Sequence, residues 1–81
     1  MNNILKEENF YQTADLSLAA TISLFFPIDS IDRQDPRRAT FFFLRDKKLD
    51  ELTESYWRGK IRVEPQAFFN QLRIIKSRLY S

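Results

Sequence analysis

Arg37-Arg38-Ala39-Thr40-Phe41-Phe42-Phe43-Leu44-Arg45 is the stretch on which the fold turns. It carries the strongest strand signal in the chain. Side chains on a strand alternate between faces, so Ala39, Phe41 and Phe43 point one way and Thr40, Phe42 and Leu44 the other. Both sets are largely apolar, and neither reads as ordinary solvated surface. One arrangement is a central strand covered on both faces. The other is a sheet with one covered face and one bare aromatic face, as in RNA-binding sheets whose aromatics stack on bases. Core burial is the default for such residues.

Working outward, 81 residues hold one domain. Hydrophobic residues make up 43% of the chain and include eight Phe, enough to build a compact core. The expected organisation is a flexible N-terminus over residues 1–8 and a single α+β domain over 9–81. The chain has no Cys and no His, so thiol nucleophiles, thiolate metal sites and imidazole bases are outside its means. No stretch approaches the ~18 apolar residues of a membrane span. The N-terminus lacks the basic start and apolar run of a secretion signal. A cytoplasmic protein is the expectation.

The formal charge of +2 is unevenly spread. One Lys faces five acids from Met1 to Asp32, net −4. Seven basic residues face five acids from Arg33 to Arg58, net +2. Five basic residues face one acid from Gly59 to Ser81, net +4. A basic final third points mildly to an anionic partner.

In chain order, Asn9 to Gln12 predicts a short strand. Thr13 or Asp15 offers an N-cap for a helix from Ala14 to Phe25, apolar almost all the way round and ended by Pro27. Ile28 to Arg33 predicts a second strand. The turn at Gln34-Asp35-Pro36-Arg37 leads into the third, Arg38 to Arg45. Asp46 caps a helix from Lys47 to Arg58 with Leu49, Leu52 and Tyr56 on one stripe, and Gly59 suits its left-handed end. Lys60-Ile61-Arg62-Val63 alternates like a short edge strand. Glu64-Pro65 starts a last helix with Phe68, Phe69, Leu72, Ile75 and Leu79 on its stripe and Lys76 at the edge.

The predicted fold is therefore α+β: a small antiparallel sheet packed by three helices, in the order β-α-β-β-α-β-α. Its specific form would be the ferredoxin-like split βαβ with an added C-terminal helix, pairing Phe10-Tyr11 with Arg38 to Leu44. A simpler hairpin packed by three helices is the alternative.

Tyr11-Gln12-Thr13-Ala14-Asp15-Leu16 with Ala19-Ala20, Asp32-Arg33, Phe41-Phe42-Phe43, Tyr56-Trp57-Arg58-Gly59, Val63-Glu64-Pro65, Phe69 and the ending Leu72 to Tyr80 together resemble a small bacterial and phage domain family of unknown function. The resemblance covers about Phe10 to Tyr80. It implies a free-standing domain and carries no activity to transfer.

Three surfaces are candidates. Arg37, Arg38 and Arg45 flank the aromatic strand, and Arg73, Lys76, Arg78 and Tyr80 lie on the last helix. Cations hold phosphate and aromatic faces stack on bases, so single-stranded nucleic acid is the first ligand class to test. Arg38 to Leu44 resembles the basic-then-aromatic RNA-binding strand motif, with Ala39 where that motif has glycine. The competing reading is a solvated basic rim over an aromatic core. Trp57 beside Arg58 has the composition of an interface hot spot, against Trp57 lying over Phe68 or Phe69. Asp29, Asp32 and Asp35 recur every third residue, but the spacing matches no calcium loop and turn chemistry accounts for Asp35-Pro36. The expectation is a non-enzymatic binding module with no cofactor, no metal site and no catalytic residues. Its partner would be single-stranded nucleic acid, or alternatively a protein or a second copy of the chain.

Overall fold

The computed structural model describes residues 9–35 and 37–80. The expected flexible segment, residues 1–8, lies outside them. The elements are β1 (Phe10–Thr13), α1 (Leu16–Ser23), β2 (Ser30–Asp35), β3 (Arg38–Leu44), α2 (Lys47–Trp57) and α3 (Pro65–Leu79). The fold is α+β, with three helices and an antiparallel sheet in the order β1-β3-β2.

Because β1 and β2 each pair antiparallel to β3, they run parallel to one another, with α1 as their crossover. This is the split βαβ unit. The expected pairing of β1 with β3 is present, with Tyr11 opposite Phe43 and Thr13 opposite Phe41. Strand β2 pairs Ile31 with Phe41 and shifts register between Asp32 and Asp35.

The fourth strand expected at Lys60 to Val63 is absent. Gly59, at φ 71°, turns the chain out of α2 in a left-handed step. Its N–H donates to the Tyr56 carbonyl at 3.0 Å and that of Lys60 to the Ser55 carbonyl at 3.0 Å, the paired bonds of a Schellman motif. The link that follows keeps Ile61 and Val63 half-buried and Lys60 and Arg62 exposed. The alternation does separate shielded from solvated side chains. Its apolar residues line a hollow with Tyr56 and Phe68, however, rather than extend the sheet. Among the described residues strand β1 is therefore an edge, and the ferredoxin-like arrangement stops at its split βαβ half.

Helix caps follow the sequence. Asp15 accepts from the Leu18 N–H at 3.1 Å, and Thr13 Oγ1 accepts from the Asp15 N–H at 3.0 Å, so both candidate caps act together. Asp46 accepts from the Leu49 N–H at 2.8 Å. Glu64 accepts from Gln66 and Ala67 ahead of Pro65. Helix α1 ends sooner than expected, and Phe25 lies beyond it, 55% exposed. Five consecutive residues, Leu18 to Ile22, are buried as an all-round apolar helix requires.

The core joins Leu18, Ala19, Ala20 and Ile22 of α1 to Phe41 and Phe43 of β3, Leu49 of α2 and Ile75 of α3. All three helices thus meet the sheet on its Phe41–Phe43 face. By strand alternation Phe10, Gln12, Arg38, Thr40, Phe42 and Leu44 lie on the opposite face, which no helix among the described residues covers. Leu44 is 63% exposed there, and Phe10 and Phe42 are partly exposed. Phe69 falls outside the α3 stripe and is 59% exposed, while Phe68, Leu72 and Leu79 pack against the core.

Candidate nucleic-acid interface

The candidate cations separate into three places. Arg37 and Arg38 sit where the β2–β3 hairpin turns, both exposed. The Asp35 carboxylate accepts from the Arg37 backbone N–H at 2.9 Å, which holds the turn. Arg38 begins β3 on the uncovered face. Arg33 reaches from β2 to the end of α3, donating from Nη1 to the Arg78 carbonyl at 2.6 Å. A cation on one of the last carbonyls of a helix satisfies an acceptor and complements the helix dipole. That contact brings the C-terminal end of α3 beside the hairpin, so Arg33, Arg37, Arg38 and Arg78 occupy one end of the molecule.

Arg45 does not join them. The strand between Arg38 and Leu44 spans roughly 20 Å at its rise per residue. At the far end Arg45 Nε meets Asp50 Oδ1 at 3.1 Å across the first turn of α2. Arg73, Lys76 and Tyr80 form a separate exposed stripe on α3, with Phe69. At 100° per residue, Lys76 stands about 160° round the helix from Arg78. Arg73 Nη2 also donates to Asn70 Oδ1 at 3.4 Å. The candidate cations are therefore two surfaces and one outlying ion pair.

Trp57 is 66% exposed, and it lies against the tyrosines rather than over Phe68 or Phe69. Its ring meets Tyr56 edge-on at 5.2 Å, and its indole N–H donates to the Tyr11 hydroxyl. Arg58 pairs with Glu54 at 3.2 Å. Sequence reading missed this corner, where β1, the cap of α1 and the end of α2 meet. Burial pushes the Tyr11 hydroxyl above its ordinary value of 10.0 and the Asp15 carboxylate adds to the rise, while the Trp57 hydrogen bond opposes it. Tyr56 moves the same way, through burial and then Asp15. Raised folded values favour the neutral phenols. Their contribution to stability is complete below pH of about 10 and is lost as pH rises through the folded values. We expect Tyr11→Phe to flatten part of the alkaline fall in Tm. An identical pH profile in the variant would assign that fall to other groups.

The three aspartates are exposed turn and strand residues. Asp32 Oδ1 accepts from the Gln34 N–H at 3.0 Å, as Asp35 does from Arg37. Among the described residues no group of three or more acidic side chains is placed to hold a metal ion, and no helix is long and apolar enough to cross a membrane.

Residues 8–81 match the model of a family described as a domain of unknown function, DUF5659. The chain belongs to this family. No curated protein and no solved structure matches it. The segments that carried the resemblance now have positions in this DUF5659 domain. Tyr11, Asp15, Tyr56 and Trp57 make the aromatic corner, Gly59 ends α2, and Phe41-Phe42-Phe43 divides between the core and the open face.

Proposed function

We propose that this DUF5659 domain is a non-enzymatic accessory module that binds single-stranded nucleic acid. The open sheet face would be its contact surface. The bacterial or phage setting implied by the resemblance, and a cytoplasmic location, belong to the same proposal. One observation carries it: Arg38, Phe42 and Phe10 share the sheet face that the described helices leave bare. Arg38, with Arg37 beside it, supplies cations for phosphate at the hairpin end. Among the described residues Arg45 and Arg58 are held in ion pairs, and Arg37 and Arg38 are not. What the face offers is rings and the Arg38 guanidinium, with one carboxylate, Asp32, opposite Thr40.

A second reading has its own observation. Asp32 pairs with Thr40 and so shares the open face with Arg38, placing opposite charges around Phe42. A twofold axis could set Arg38 of one copy against Asp32 of another, as a self-complementary interface requires.

Fluorescence anisotropy with labelled single-stranded DNA, single-stranded RNA and duplex separates the two, with light scattering on the same samples. Micromolar or tighter binding to single strands that weakens steeply with salt is expected. Arg38→Ala should lower the slope of log K against log salt by about one phosphate contact. Absence of binding even at low salt would sink the nucleic-acid reading, and a dimer mass beside it would favour the second.

A further inference from the structure

From the register of β1 against β3 we infer that Phe10 and Phe42 form a two-base shelf, selective for pyrimidine-rich single strands. The inference rests on the nucleic-acid reading and specifies its ligand.

Phe10 stands opposite Leu44, and Phe42 stands opposite Gln12. The two phenylalanines are therefore diagonal neighbours on adjacent strands, two residues out of register and on one face. Such diagonal positions lie about 7–8 Å apart. Bases stacked in a duplex or an ordered strand follow one another at about 3.4 Å. Two successive bases that each lie on one of these rings must therefore leave their mutual stack. A duplex cannot comply without opening. A flexible strand can, at the cost of its own base stacking, which the rings then replace.

That cost decides the preference. Purine runs stack strongly on themselves and resist being spread, whereas pyrimidine runs stack weakly and have a pliant backbone. The face also fixes where the backbone runs. Arg38 precedes Phe42 by four residues on the same strand face, so the phosphates lie toward the hairpin and the bases toward β1. Leu44, 63% exposed beside Phe10, gives the second base an apolar edge. The Arg38 cation and the continuity of Phe42, Phe10 and Leu44 thus point to one occupant for this face, a strand whose phosphates lie on the Arg38 side of the Asp32 carboxylate opposite Thr40.

The experiment measures anisotropy with three labelled strands of equal length: oligo-dT, oligo-dA and an abasic strand with the same phosphates. Oligo-dT should bind tightest and the abasic strand about tenfold or more weaker. Phe42→Leu and Phe10→Leu, both on the face away from the core, should each shrink the difference between oligo-dT and the abasic strand and leave the salt slope unchanged. Circular dichroism checks that they fold. Arg38→Ala should instead weaken all three strands alike. If the abasic strand binds as tightly as oligo-dT while Arg38→Ala still weakens binding, the shelf is overturned and the nucleic-acid reading stands. If no strand binds, both fall. In that case a dimer that Phe42→Arg converts to monomer would assign the face to a second copy of the chain.

Discussion

Phe43→Ala should cost roughly 3–5 kcal/mol of unfolding free energy, the usual loss for a buried Phe cut to a methyl group. Phe43 is 0% exposed, stands opposite Tyr11 on the edge strand, and belongs to the cluster that all three helices share. A domain of this class has only about 5–15 kcal/mol in total, so the variant should be largely destabilised. Phe42→Ala, one residue earlier, removes the same atoms from the opposite face. It should cost nearer 1 kcal/mol, because the ring is already partly in water. Urea midpoints with unchanged m-values measure both. Equal losses at the two positions would mean that the second face is packed, and the binding surface proposed for it would go with them.

That comparison also marks where sequence reading stops. Alternation along Arg38 to Leu44 separates the aromatics into two sets, and the strand does carry both. It contains nothing to say which set is covered, because covering depends on where the helices dock. Lys60 to Val63 shows the same limit differently. A period of two reports which side chains are shielded, and Ile61 and Val63 are half-buried as expected. It does not report whether the backbone finds a strand partner, and here a Schellman turn sends the segment to the helices instead. The caps were legible because each is a local bond between residues two or three apart. The Tyr11–Trp57 contact and the Arg33–Arg78 contact join residues some 45 positions apart, with no local pattern to announce them. Of the proposed site, its composition was legible. The separation of Arg45 from Arg38 needed the length of the strand and the partner Asp50.

The last helix provides the other large effect. Ile75 is the one fully buried side chain of α3 among the described residues, 1% exposed. Ile75→Ala should cost about 2–5 kcal/mol. Phe69→Ala removes a larger side chain yet should change stability by no more than roughly 0.5 kcal/mol, since Phe69 is 59% exposed. Both ends of the helix are held, by Glu64 at its start and by Arg33 on the Arg78 carbonyl at its finish, so the loss at Ile75 cannot be relieved by sliding the helix. Amide hydrogen exchange along α3 should rise in Ile75→Ala and stay unchanged in Phe69→Ala. If Phe69→Ala proved the costlier change, the helix would have to be turned by about 120° about its axis. Arg73 and Tyr80, which share the side of Phe69, would then face the core. The cationic end built from Arg33, Arg37, Arg38 and Arg78 would lose the α3 terminus that completes it.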